Sequence, residues 1–340
     1  MSSKTSYNLI DKENINESIS RVINSNIDFN VYSTEQGILE LRKEICKLLN
    51  SQWEFLPNPN NMIITTGAQQ ALNIIAYSFL NEGDTILIEE PTYYGAIDIF
   101  KSRKLNLVGV ELQEDGINLT DLEEKIKKYS PKIIYVIPTF NNPTGIAWTN
   151  EKRVEFLKII NKYNLLVVED DPYYMLNFTD YNYKSLYSLN NCKNVIYVGT
   201  FSKTISPSVN VGYILTEKNM IDAISSFKKN FDLSTSTFMQ YVILDYLQNY
   251  DLKALMKNRI NQYIDLLQNC INKLNEKYKD QIISYSKPIG GFFFLVKFKN
   301  PVDTNIFENG NNFYLDKHHE NETRINICNF LERRGNDIYE

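Results

Sequence analysis

Between residues 62 and 215 the chain keeps repeating one unit: a short apolar run, a turn, and a segment whose apolar residues recur at helical spacing. No other feature limits the possible folds as much. Apolar runs of about four to eight residues bounded by turn residues read as buried strands. They fall at 62–66, 85–89, 105–112, 132–138, 165–169, 195–199 and 211–215. Helical patterns fall at 68–80, 120–129 and 151–163. In the first, Ala71, Leu72, Ile75, Ala76 and Phe79 share one face. The second opens on Thr120 as a cap, with Glu123 three residues on. Strands separated by such helices form βαβ units, so an α/β fold is expected, with a mostly parallel central sheet flanked by helices. Sheets of that kind bind ligands at the carboxyl ends of their strands. Chemistry is therefore expected in the residues that follow each run.

The ends of the chain read differently. Residues 1–35 show little periodicity, and 237–278 read as largely helical. The break Pro288-Ile289-Gly290-Gly291 precedes an apolar strand at 292–298, and a short strand is expected at 324–328 after an Asn-rich stretch. The division expected is a large α/β domain at 36–235 and a smaller α+β domain built from 1–35 and 236–340. A length of 340 residues suits about two domains.

Composition removes several classes. A net charge of −5 argues against a nucleic-acid binder. The apolar runs fall well short of the roughly 20 residues of a membrane helix, and the first thirty residues are too polar for a signal peptide. No membrane association is expected. Cys46, Cys192, Cys270 and Cys328 show no paired spacing and read as reduced thiols in a cytoplasmic protein. The two histidines, His318 and His319, are adjacent in a polar segment, so neither a His-dependent hydrolase nor a metal site is expected.

The residues after the runs form a series. They are Gly67-Ala68-Gln69-Gln70, then Glu89-Glu90-Pro91-Thr92-Tyr93-Tyr94, then Asn141-Asn142-Pro143-Thr144-Gly145. Asp170-Asp171-Pro172-Tyr173-Tyr174 and Thr200-Phe201-Ser202-Lys203 complete it. One sheet edge would thus carry a lysine, a carboxylate, two asparagines, aromatic rings and a helix N-terminus.

In this order the segments resemble fold type I pyridoxal-phosphate enzymes of the class I/II aminotransferase family. The branch most resembled contains 2-aminoadipate and kynurenine aminotransferases and the aminotransferase-like half of MocR regulators. Matching positions run from Tyr32 to Arg324. The resemblance implies a cofactor, pyridoxal 5′-phosphate, held as a Schiff base by Lys203, whose amine must be neutral to react. It implies that Asp170 keeps the pyridine nitrogen protonated, with the neighbouring Asp171 as the other candidate. Asn142 and Tyr173 match residues that hydrogen-bond the ring oxygen, and Tyr93 one that stacks on the ring. Gly67, Ala68 and Gln69 would hold the phosphate at a helix N-terminus, which favours anions, with hydroxyls from Thr200 and Ser202. Tyr32 matches a residue that reaches the phosphate from the other subunit of a homodimer. Arg324 matches the residue that grips the substrate α-carboxylate, for which a guanidinium fork is suited.

The activity implied is transfer of an amino group from an amino acid to a 2-oxo acid, with 2-oxoglutarate the family's usual acceptor. Other carbanion reactions on the same cofactor (β-elimination, decarboxylation, oxidation) stay open, as does a cofactor-sensing or degenerate role. A sensor would need a basic helix-turn-helix before residue 30, and none is seen there. Three departures stand out. In Ser206-Pro207-Ser208-Val209-Asn210-Val211-Gly212, Asn210 occupies the place of the family's phosphate-binding arginine, with Lys184 and Arg103 as candidate replacements. The family's glycine-proline segment is not visible before Tyr32, and the stretch from Gly291 to Arg324 is short and without a helical pattern.

Overall fold

The computed structural model describes residues 11–302 and 307–328. The outer parts of the expected small domain, 1–10 and 329–340, lie outside the described residues. The first half of the chain runs α1 (Lys12–Ile23), α2 (Leu39–Trp53), β1 (Met62–Thr65), α3 (Gly67–Phe79), β2 (Thr85–Glu90), α4 (Tyr94–Ser102), β3 (Asn106–Gln113), β4 (Gly116–Ile117) and α5 (Leu119–Tyr129). It continues with β5 (Ile133–Val136), α6 (Asn150–Tyr163), β6 (Leu166–Asp170), α7 (Leu186–Leu189), β7 (Val195–Thr200) and β8 (Gly212–Leu215). Then follow α8 (Lys218–Phe231), α9 (Thr237–Asn249), α10 (Leu252–Tyr278), β9 (Ile282–Tyr285), β10 (Phe293–Phe298), β11 (Glu308–Asn309) and β12 (Glu322–Asn326).

The first eight strands form one sheet in the order β1-β8-β7-β6-β5-β2-β3-β4. Strands β3, β2, β5, β6 and β7 are mutually parallel, joined by helical crossovers. Strand β8 runs antiparallel to both its neighbours, because the 201–211 connection from β7 holds no crossover helix. Helices cover both faces, so alternate residues of one strand enter different cores. On β5, Ile134 and Val136 pack with Ile45 of α2, Leu122 of α5 and Phe156 of α6. Ile133 and Tyr135 pack with Leu72 of α3, Phe100 of α4 and Ile224 of α8.

Several local readings change. Helix α5 is capped by Asn118, whose Oδ1 accepts from the N–H groups of Thr120 and Asp121 at 3.1 and 3.2 Å. Glu123 instead binds Lys162 and Tyr163 of α6. Helices α1, α2, α4, α7 and α8 lie outside the helical patterns read from the sequence. Helix α4 is short and opens on Tyr94-Gly95, and α1 buries little beyond Ser18 and Val22. The second is held by tertiary contacts, with Arg21 gripping Asp245 on α9 at 2.8 Å. The helical stretch after residue 237 is two helices, the second capped by Asp251 on the Ala254 N–H at 3.0 Å.

A second, four-stranded antiparallel sheet has the order β11-β12-β10-β9. Its last strand begins two residues earlier than the sequence pattern placed it. The sheets meet at Gly145, which has φ +70°, and a Cβ there would lie 2.5 Å from the Phe293 carbonyl oxygen. Only glycine combines that backbone angle with so close an approach.

Candidate active site

The carboxyl ends of β1, β5, β6 and β7 converge on a cleft of about 800 Å³, counted out to its mouth. Helix α3 presents its N-terminus to it. Thr66, the capping residue, makes no side-chain capping bond, and Gly67 takes a positive φ of 70°. Gly67, Ala68 and Gln69 line the cleft with Thr200, Ser202 and Asn210. Thr200 Oγ1 accepts from the Ser202 N–H at 3.2 Å and donates to Ser202 Oγ at 3.1 Å. Asn210 sits in the left-handed region with φ +45°. Its Oδ1 lies 2.5 Å from where a Gly67 Cβ would be, so the glycine lets the two loops meet. This pole is rich in hydrogen-bond donors and suits a phosphate.

Lys203 follows β7 and faces the same cleft, half-buried. Burial and the nearby Arg324 charge push its amine down to about 8. Asp170, the last residue of β6, is buried. Its Oδ2 accepts a 2.7 Å bond from Tyr135 Oη on β5, while Oδ1 is buried with no partner. Burial pushes this carboxyl up to about 6, against the lowering effect of Tyr135. Asp171 points elsewhere: its Oδ2 accepts from Tyr197 at 3.2 Å, and it does not line the cleft. Of the two carboxylates, Asp170 alone is a wall of this cavity.

Tyr93 Oη donates to Gln69 Oε1 at 3.2 Å, and burial pushes the Tyr93 hydroxyl up to about 12. Tyr173 is buried beside Asn142, and desolvation holds its hydroxyl far above the usual tyrosine range. Asn142 Oδ1 accepts from Arg324 Nη1 at 2.8 Å. The Arg324 guanidinium lies over Phe293 at 4.0 Å and Phe313 at 4.9 Å from the ring centroids, and Nη2 bonds Glu308. All the site residues expected from sequence line this cleft except Tyr32, which is 75% exposed. Neither candidate replacement cation reaches it. Lys184 pairs with Glu54, and Arg103 stacks on Tyr77 and donates to the Leu80 carbonyl.

Tyr135, Glu308 and Tyr94 belong to the site or its support and were missed in the sequence. Tyr94 carried a signal, its place after a strand. Tyr135 lay hidden inside an apolar strand, and Glu308 in a stretch without a pattern.

The profile of the family "Aminotransferase class I and II" matches residues 5–335. The chain belongs to that family. This aminotransferase is 29% identical over 319 residues to aromatic-amino-acid aminotransferase 1 of Thermococcus litoralis, covering 89% of this chain and 76% of the relative. A solved kynurenine aminotransferase of Pyrococcus horikoshii, in complex with PMP, superposes with a TM-score of 0.88 at 28% identity, over 94% of this chain and 83% of that one. An α-aminoadipate aminotransferase of Thermus thermophilus, complexed with a phosphopyridoxyl-leucine, gives 0.89 at 27% identity, over 96% and 86%. The aminotransferase is a fold type I enzyme that depends on pyridoxal phosphate and moves amino groups between amino acids and 2-oxo acids.

The residues present fit the cofactor. The unpartnered Asp170 Oδ1 can accept from a protonated ring nitrogen. At the other end the Gly67 pole offers neutral donors to a phosphate. Lys203, with its lowered pKa, lines the same cleft as both. Among the described residues, no helix of the aminotransferase is long and apolar enough to cross a membrane.

Proposed function

We propose that this enzyme carries out transamination with Lys203 as its proton carrier, Asp170 as the ring-nitrogen partner and Arg324 as the α-carboxylate anchor. One observation carries the assignment: Lys203 and Asp170, one of whose carboxylate oxygens has no partner, border the same cavity. When bound, pyridoxal phosphate supplies a covalent link to the substrate nitrogen and a ring that draws the electron pair from the α-carbon. The chain does the rest. Lys203 Nζ would hold the cofactor, and as the free amine it would take the substrate α-proton as a base and give it back as an acid. Asp170 stabilises the charge on the ring nitrogen. Tyr173 and Asn142 hold the ring oxygen, Tyr93 stacks on the ring, and Gly67, Ala68, Gln69, Thr200 and Ser202 hold the phosphate. Asn142 also orients Arg324 through their 2.8 Å bond.

The working unit proposed is a cytoplasmic homodimer without nucleic-acid or membrane partners. Exposed apolar side chains at Phe29, Val31, Tyr32, Phe231 and Leu233 favour a second copy as the partner, with Tyr32 reaching the neighbouring phosphate. Residues 36–235 form the cofactor-binding unit of this scheme, with the smaller domain from the flanking segments. The test is chemical. Borohydride should fix the cofactor to the peptide containing Lys203, and adding an amino donor should convert the visible absorbance to that of the amine form. Label on another lysine, or a 2-oxo acid and ammonia released with no amine form, would overturn transamination by Lys203.

A further inference from the structure

The side-chain amide of Gln70 is committed at both ends. Its Oε1 accepts from the Thr66 N–H at 2.8 Å, and its Nε2 donates to Asp232 Oδ2 at 2.6 Å. The other carboxylate oxygen, Asp232 Oδ1, accepts from Lys228 Nζ on α8. Lys228 is fully buried. These groups form a line from Lys228, through Asp232 at the C-terminal cap of α8 and Gln70 on α3, to the backbone amide that precedes Gly67. All of these contacts are made within one chain.

The line ends at the pole that the proposed function gives to the phosphate. Thr66 caps α3 without a side-chain capping bond, and its N–H is one of those that a helix N-terminus leaves without an intrahelical carbonyl. Gln70 takes that amide from within the helix, much as the glutamine of a capping box does. Thr65 Oγ1 holds the same turn by donating to the Gly67 carbonyl at 3.0 Å. The next amides, those of Gly67, Ala68 and Gln69, belong to residues that line the cleft and are left for an anion.

An amide side chain donates at one end and accepts at the other. Turned round, Gln70 would set its NH2 group against the Thr66 N–H. Asp232 prevents this, because a carboxylate accepts and cannot donate. Lys228 needs an acceptor of its own, since a charge buried alone is strongly unfavourable. It therefore holds one oxygen of Asp232 and leaves the second for Gln70. Lys228 and Asp232 together carry no net charge, so what they pass to the phosphate pole is direction.

We propose that Gln70 is a positioning residue for the cofactor phosphate, and that Lys228 and Asp232 act through it by fixing which way its amide faces. The inference rests on the placing of the phosphate at the Gly67 pole and goes beyond it, to residues set behind that pole.

The experiment is equilibrium binding, followed by fluorescence, of pyridoxamine phosphate and of phosphate-free pyridoxamine to the full chain freed of cofactor. Gln70→Ala should raise the Kd for pyridoxamine phosphate by roughly three- to tenfold, the loss of one hydrogen bond. Asp232→Asn should weaken it about as much: Lys228 claims the single oxygen, and the new NH2 group turns Gln70 round. Adding Lys228→Met to Asp232→Asn frees that oxygen for Gln70 and should restore most of the affinity. Pyridoxamine binding should stay unchanged throughout, which a general loosening of the fold would not give. Wild-type affinity for pyridoxamine phosphate in Gln70→Ala, or an equal loss for pyridoxamine, would overturn the proposal while leaving the phosphate at the Gly67 pole. A double variant as weak as Asp232→Asn would overturn the part given to Lys228. If the wild-type chain binds both ligands equally, the placing of the phosphate fails and takes this inference with it. Should Asp232→Asn not fold, Gln70→Ala decides alone.

Discussion

Tyr135 Oη donates a 2.7 Å hydrogen bond to Asp170 Oδ2 within the central sheet, and the other oxygen of Asp170 is buried with no partner. The two residues sit on neighbouring parallel strands, β5 and β6, with Tyr135 opposite Val168 in the register. One carboxylate oxygen is thus spoken for by the protein, and the other is left for a cation in the cleft. A hydrogen bond to the charged form lowers a carboxyl pKa, whereas burial raises it. For Asp170 burial is the larger effect, and Tyr135 is the one group shown opposing it.

Tyr135→Phe keeps the ring in the core and deletes that bond. Hydrogen bonds to charged groups contribute about 1.5–3 kcal/mol, so turnover should fall by roughly tenfold or somewhat more. The sign of the pH effect follows from the same bond. Its loss favours the protonated carboxyl, so the acid limb of the kcat profile should move to higher pH. A steady-state pH profile of both proteins checks this, and an unmoved limb would mean that Tyr135 does not tune Asp170.

Lys203 should capture pyridoxal phosphate at unusually low pH. A lysine must be neutral to attack an aldehyde, and Lys203 reaches that state around pH 8 because burial disfavours its charge. The rate of reconstitution of cofactor-free protein, followed by visible absorbance, should rise with pH and level off above about 8. A rate still climbing through pH 10 would show an ordinary lysine. Stability is linked with a definite sign. Between about 8 and the ordinary lysine value of 10.5, the unfolded chain binds more protons at this position than the folded one. Lys203 therefore makes the folded state relatively more stable as pH rises through that window.

In the proposed scheme Asn210 borders the phosphate pole. Asn210→Asp preserves size and tolerates the positive φ of 45°, but sets an anion beside the phosphate. The amine form, which lacks the covalent hold of Lys203, should then dissociate faster, by about tenfold or more. Asn210→Arg offers a charge-assisted bond worth about 1.5–3 kcal/mol, offset by roughly 1–2 kcal/mol for a bulkier residue in left-handed backbone. It should slow the loss, by at most about tenfold. Dissociation constants of pyridoxamine phosphate, measured by fluorescence, should rank Asp weakest and Arg tightest. Equal values would place the phosphate away from Asn210.

How much of this was legible in the chain follows from the range of the forces involved. The alternation of strand and helix patterns is local, and it determined the α/β class and the placing of Gly67, Asn142, Asp170 and Lys203 at strand ends. Parallel strands joined by crossover helices bring those ends to one edge whatever their order in the sheet. What the sequence left undecided depends on which strands lie side by side and in what register. Tyr135 reads as one more apolar strand residue until β5 is set beside β6. Glu308 lies on a strand of two residues, too short to show any period, and meets Arg324 only through β-pairing across 16 positions. The turn of β8 against its neighbours and the docking of α1 on α9 through Arg21 and Asp245 are decided in the same way. Periodicity records which face of a segment is buried, and it is silent about the partner that buries it.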